Sequence, residues 1–182
     1  IKDSNMAVVV LKVGGTSVGS VDLIKSSAKI IKNEYDAGAN IAVAVSAMSG
    51  TTNSLIKKID LISSKDDAEY DSIVASGEQV AAGLMALALQ ELNIPARSWL
   101  GWQLPIYTSG THRYATISKI ESKNILDGFK KKEVAVVAGF QGISLDGRIT
   151  TIGRGGTDNT ALFLASAINA ASCDTYTDVD GL

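Results

Sequence analysis

One cysteine and one histidine occur in 182 residues. A single thiol builds no disulfide framework, and so few Cys and His side chains leave a structural zinc site without ligands. The lone thiol, Cys173, lies beside an apolar run and is expected as a small core residue; it fits a reducing, cytoplasmic setting. His112 stands in a loop with no second histidine and no evident Ser or Cys nucleophile, which argues against a catalytic triad. Positive charge is also scarce. The net charge of −2 gives no electrostatic case for nucleic acid or an anionic membrane surface. The longest basic run, Lys130 to Lys132, falls at an expected helix end, where it complements the dipole. No apolar run reaches the roughly 18 residues of a membrane span, and the opening "IKDSNMAVVV" lacks the pattern of an export signal. Only two prolines are present, and 46% of residues are hydrophobic. Disorder and low complexity are thereby excluded, and residues 1–182 read as one domain with a substantial core.

What is present is an alternation of strand and helix patterns. "AVVVL" (7–11), "IAVAV" (41–45), "ARSWL" (96–100), "VAVVAGF" (134–140) and "TYTDV" (175–179) read as strands, most of them covered on both faces. Between them, Val21, Ile24, Ala28, Ile31 and Tyr35 recur at helical spacing, with Ser20 placed to cap and Gly38 to terminate. Leu55, Ile59 and Ile62 form a short stripe, and Val80, Leu84 and Leu87 a second. Ile120, Ile125 and Phe129 form a third, and a last helix is expected over 159–171. Strands separated by helices imply a three-layer α/β/α sandwich with a mainly parallel sheet. Ligands of such sheets bind beyond the carboxyl ends of the strands. The segments found there, "KVGGTS", "SAMSGTTN", "GWQ" and "GFQG", are all rich in Gly, hydroxyl and amide groups.

In "KVGGTS", Gly14 and Gly15 let backbone N–H groups approach an anion, and a following helix would aim its positive end at it. Lys12 adds a full charge suited to a phosphoryl group in transfer. Neither G-x-x-x-x-G-K-[ST] nor a helix-opening G-x-G-x-x-G occurs, so this is neither a Walker loop nor a dinucleotide fingerprint. "GRGGTDNTA" (153–161) is a second glycine-rich helix start. There Arg154 is suited to grip a carboxylate, and Asp158 either caps the helix, or holds Lys12, or both. Glu78 in "SGEQ" suits a helix dipole or a ligand amine. The hydroxyls of "SAMSGTTN" suit a polar ligand, and "DVDG" places Asp178 and a second acid after the last strand. The missing histidine bears on the acceptor: a carboxylate with a pKa of roughly 4 is already ionised and needs no protein base, unlike a hydroxyl.

"LKVGGTSVGS", "VSAMSGTTN", "SGEQVAAGLMALAL", "VAGFQG", "TTIGRGGTDNTA" and "YTDVDG" follow one another in this order. Together they resemble the catalytic domain of the aspartate kinases, within the amino acid kinase fold. The resemblance implies transfer of the γ-phosphoryl of ATP to the side-chain carboxylate of L-aspartate, with Mg2+ held mainly by the nucleotide phosphates and no metal site of the protein's own. It implies that Lys12, Val13, Gly14 and Gly15 hold the transferring phosphate, with Asp158 orienting Lys12. Arg154, with Gly155, Gly156 and Thr157, would take the substrate α-carboxylate, and Glu78 its α-ammonium. Ser46 and Thr52 would line the aspartate pocket, and Thr177 and Asp178 would begin the nucleotide side. Val13 replaces a frequent aromatic, and Thr157 a frequent serine. The family continues well past "YTDVDG" into regulatory modules. The resemblance therefore implies a kinase domain incomplete at its C-terminus, weakly active or inactive as it stands, and homodimeric at full length. Two other readings are an amino acid kinase for a different carboxylate and a non-catalytic module that kept the fold.

Overall fold

In the computed structural model, residues 6–63 and 65–177 are described. The chain runs β1 (Val8–Val13), a 3-10 turn (Gly15–Val18), α1 (Val21–Asp36), β2 (Asn40–Val45), α2 (Thr51–Asp60), α3 (Asp67–Val74) and α4 (Ser76–Glu91). It continues through β3 (Ala96–Trp99), β4 (Ile106–Ser109), β5 (Thr116–Ile120), α5 (Lys123–Lys130), β6 (Val134–Ala138), β7 (Gln141–Ile143), β8 (Ile149–Thr151), α6 (Gly156–Ala167) and β9 (Ser172–Tyr176). Five strands form an all-parallel sheet in the order β3-β6-β2-β1-β9. Val13 is level with Val45 and Tyr176, and Val45 with Ala138, so the carboxyl ends finish on one line.

The two-residue period of the strands divides the core. Val9, Leu11, Val13, Ile41, Val43, Val45, Val134 and Val136 face one side, where Ile24 and Ile31 of α1 and Met85 and Leu89 of α4 cover them. Val10, Ala42, Ala44, Ala135 and Val137 face the other, under Ile125 and Phe129 of α5 and Leu164 of α6. These are the three layers expected. Residues Asp67–Glu91 are helical, long and apolar enough to pass as a membrane span, but Asp71, Glu78, Met85 and Leu89 within them are buried in the domain.

Several expectations are corrected. A second, four-stranded sheet, β5-β4-β7-β8, was not foreseen. Its strands are three to five residues long, too short for a period of two to stand out. Ile120 closes β5 and does not belong to the helix of Ile125 and Phe129. Of the Val80–Leu84–Leu87 stripe of α4, Val80 (57%) and Leu87 (62%) are exposed, and only Leu84 is half-buried against the core. The inner face is instead built of Ala81, Ala82, Met85, Ala86 and Leu89, where the alanines let the helix approach α1 and the sheet closely and Met85 and Leu89 fill the core. Ile62 lies beyond α2 and is exposed; of the expected stripe only Ile59 is buried. The last strand lies three residues earlier than expected, which puts Cys173 inside β9, and there it is exposed.

Candidate active site

Lys12 shares the face of Val10, because side chains two apart point the same way. That face is covered by α6, and Asp158 in the first turn of α6 meets Lys12 Nζ with Oδ1 at 3.1 Å. The lysine side chain is only 17% exposed. Its register partners on β2 and β9 are Ala44 and Thr175, which leave room for the long stem. α6 begins at Gly156, three residues earlier than expected, and Gly155 is its N-cap with no side-chain cap bond. Asp158 therefore holds Lys12 and does not cap. Val13 is buried at the end of β1, and Gly14 lies directly beside the Lys12 ammonium. The helix α1 does not follow these glycines directly. The 3-10 turn intervenes, and Ser20 caps α1 by accepting from Leu23 N at 3.2 Å.

Glu78 converges on the same place. It lies in the first turn of α4, 4% exposed, and its Oε1 accepts from Ala47 N at 3.2 Å. Among the described residues Oε2 has no partner. Burial pushes this carboxyl up from 4.5 to about 7, against a smaller lowering by its backbone hydrogen bonds. The Ala47 carbonyl lies 3.0 Å from where a Gly15 side chain would begin, so Ala47 joins Glu78 to the Gly14–Gly15 loop. Gly77 lies close enough to Ala47 and Thr51 to leave no room for a side chain. Ser46, half-buried, donates its N–H to Val13 O at 3.1 Å, and Thr52 is half-buried in the first turn of α2.

Arg154 is exposed, with no carboxylate partner among the described residues. It lines a cavity of about 300 Å³ with Tyr114, Asn159 and Phe163. Its carbonyl accepts from Asn159 Nδ2 at 3.2 Å, and Gly155 behind it takes φ +76°, the left-handed region glycine tolerates. Gly156 is packed under the Phe140 ring, and Thr157 against Gly139, where an added Cβ would sit 2.6 Å from Thr157 Cγ2. Thr177 follows β9 and is exposed, and Asp178 lies outside the described residues.

Two buried side chains that frame these groups escaped the sequence reading. Gln141, 1% exposed, donates through Nε2 to Ala75 O at 3.0 Å and to Gly139 O at 3.3 Å, and accepts from Gln79 Nε2 at 3.2 Å. It joins the start of α4 to the turn after β6. It belongs to "GFQG", which stands out by its position after a strand, though nothing there singled out this residue. Asp71 is fully buried and accepts from Thr151 N, Thr151 Oγ1, Arg113 N and His112 Nδ1. Its only sequence signal is one carboxylate among the apolar residues of "YDSIVA".

The chain matches the amino acid kinase family over residues 7–182. It is 45% identical over 181 residues to the aspartokinase of Rickettsia conorii, covering 97% of this chain and 45% of the relative. It is 47% identical over 180 residues to the aspartate kinase of Pseudomonas fluorescens, again covering 97% of this chain and 44% of the relative. The aspartate kinase structure from Synechocystis superimposes with a TM-score of 0.80 at 39% identity, over 95% of this chain and 29% of that one. Aspartokinase III of E. coli, in complex with aspartate and ADP, gives 0.81 at 26% identity, over 96% of this chain and 50% of that one. The chain thus spans less than half the length of these curated relatives. Its matched span, its parallel sheet and the level strand ends that gather Lys12, Asp158 and Glu78 agree: the chain belongs to the amino acid kinase family.

Proposed function

We propose that this chain carries the phosphoryl-transfer and amino-acid-reading groups of an aspartate kinase. The reaction is transfer of the γ-phosphoryl of ATP to the side-chain carboxylate of L-aspartate, giving 4-phospho-L-aspartate for lysine, threonine and methionine biosynthesis. One observation carries the reading. Glu78 is a buried carboxylate with one oxygen that has no partner among the described residues, next to the loop that follows Lys12. A buried acceptor left unpaired is costly, and a ligand ammonium satisfies it. Arg154, which has no carboxylate partner among the described residues, suits the α-carboxylate through paired N–H donors. The aspartokinase relatives, and the E. coli enzyme solved with aspartate and ADP, support the same substrates.

In this reading Ser46 and Thr52 line the aspartate pocket, while Gly155, Gly156 and Thr157 set the approach to Arg154. The β-carboxylate oxygen attacks Pγ, the bond from Pγ to the bridging oxygen breaks, and ADP leaves. No protein base is required, because the acceptor is already ionised. Lys12 stabilises charge on the transferring group, and Asp158 fixes the lysine so that little reorganisation accompanies transfer. Backbone N–H groups of the Val13–Gly15 segment lie alongside, and Thr177 with Asp178 opens the nucleotide side. Magnesium enters on the nucleotide phosphates. A cytoplasmic location and a homodimer belong to the same proposal.

The test is incubation of the full-length gene product with MgATP and L-aspartate, trapping the acyl phosphate with hydroxylamine. Aspartyl hydroxamate is expected and disappears in Lys12→Ala; a full-length protein that yields none refutes the proposal.

A further inference from the structure

Asp71 is the most completely engaged carboxylate among the described residues, and it lies outside the reacting groups. It projects from α3 into the second sheet with no exposed surface. Thr151 donates to it through N at 3.0 Å and Oγ1 at 2.6 Å, Arg113 N at 3.0 Å, and His112 Nδ1 at 2.8 Å. A carboxylate buried this fully is tolerated only if its hydrogen bonds are made together, so these four donors are fixed as a set. The rim repeats the attachment. Arg113 Nε meets Asp67 at 2.8 Å, its guanidinium covers the Tyr70 ring at 3.8 Å, and Arg148 meets Glu69 at 2.7 Å.

The placement of the two ends gives the cluster its meaning. Asp71 precedes Glu78 by seven residues, through the Ala75 junction of α3 and α4, and Thr151 precedes Arg154 by three. The 112–115 segment runs beside β8 and the residues that lead from it to Arg154, with Ala115 N donating to Thr151 O at 3.1 Å and Gly153 N to Ala115 O at 3.2 Å. Glu78 has independent support: Gln141 grips Ala75, and Met85 and Leu89 root α4 in the core. β8, which ends three residues before Arg154, is only three residues long, and Asp71 is its buried tie to α3, beside the exposed Arg148–Glu69 pair.

We infer that Asp71, with His112 and Thr151, is the positioning residue that sets Arg154 at a fixed separation from Glu78, and so sets the chain's selectivity for ligands bearing both an α-ammonium and an α-carboxylate. This rests on the reading of Glu78 and Arg154 given above. A ligand that needs both anchors feels any drift between them. A dicarboxylate without the amine follows Arg154 wherever it goes.

The experiment is calorimetric titration of L-aspartate and succinate into the full-length gene product, unaltered and as Asp71→Asn, Thr151→Val and Thr151→Ser, with thermal melts to establish folding. Asp71→Asn is expected to weaken L-aspartate about tenfold or more and succinate less than about threefold, since small misplacements of a paired site are costly. Thr151→Val moves the ratio the same way, and Thr151→Ser, which keeps the hydroxyl, restores it. If Asp71→Asn does not fold, Thr151→Val decides, because it removes one bond and leaves the others. A folded variant with the unaltered aspartate-to-succinate ratio overturns this inference alone. An unaltered protein that does not bind L-aspartate overturns the proposed function and this inference with it.

Discussion

Burial raises the Glu78 carboxyl to about 7, and no cation among the described residues offsets it. Only the ionised form can receive an ammonium without displacing a proton. With a value of about 7, roughly nine-tenths of the protein is binding-competent at pH 8 and roughly one-tenth at pH 6. Apparent affinity scales with that fraction, so L-aspartate is expected to bind about tenfold more weakly at pH 6 than at pH 8. Binding at pH 7 should release about half a proton, read by calorimetry in two buffers of different ionisation enthalpy. Succinate, which lacks the amine, should lack both effects. Glu78→Gln should flatten the profile and lose about 1.5–3 kcal/mol of aspartate binding at pH 8, the worth of a charge-assisted bond.

The same shift has a consequence for stability of opposite sign. A carboxyl whose folded value lies above its unfolded value favours the folded state while protonated. That contribution is fully present below 4.5 and is lost as pH rises through about 7. The difference amounts to about 3 kcal/mol at alkaline pH. Glu78→Gln is therefore expected to raise the melting temperature at pH 8 and leave it nearly unchanged at pH 4, while weakening substrate. A pH-independent aspartate affinity between 6 and 8, or a Glu78→Gln protein that melts lower at pH 8, refutes the argument that an unpaired, desolvated carboxylate awaits the amine.

The parallel sheet was legible because its strands are buried on both faces and read as continuous apolar runs. The positions of the loops after those strands were legible for the same reason, since they must follow those runs. The sequence left open whether Asp158 pairs with Lys12, caps the helix, or does both. It became decidable only once α6 was found to start at Gly156, which moves Asp158 from a capping position into the first turn. Lys12 and Asp158 are far apart in the chain, and no local pattern fixes which face of a strand a distant helix will cover. The second sheet was illegible because three-residue strands carry too little periodicity. Asp71 was illegible for a different reason: its donors, Thr151, Arg113 and His112, come from that unread sheet and its loops. A buried acid cannot be distinguished from a solvated one until its partners are placed. Cys173 shows the converse, an apolar neighbourhood in sequence that proved to be the exposed edge strand.

Asp158→Asn is expected to lower kcat about 10–100-fold with little change in the KM for L-aspartate, because it removes the orienting charge on Lys12 and no substrate contact. An unchanged kcat contradicts the orienting role. The same variant should cost less than about 1 kcal/mol of stability, as befits an ion pair whose acid is largely exposed. Gly139→Ala tests the packing that holds the start of α6. The added Cβ would lie 2.6 Å from Thr157 Cγ2 and 2.8 Å from its hydroxyl, while Thr160 Oγ1 accepts from the adjacent Phe140 N at 3.1 Å. The turn after β6 and the first turn of α6 cannot both stay in place, so an overpacking cost of about 1–3 kcal/mol is expected in chemical denaturation. The displaced first turn carries Asp158, so activity should fall further than the loss of folded protein accounts for. Adding Thr157→Ala removes both crowding atoms and should return part of the stability. Were the double variant no more stable than Gly139→Ala alone, the close approach of these two turns would not be what fixes Asp158 against Lys12.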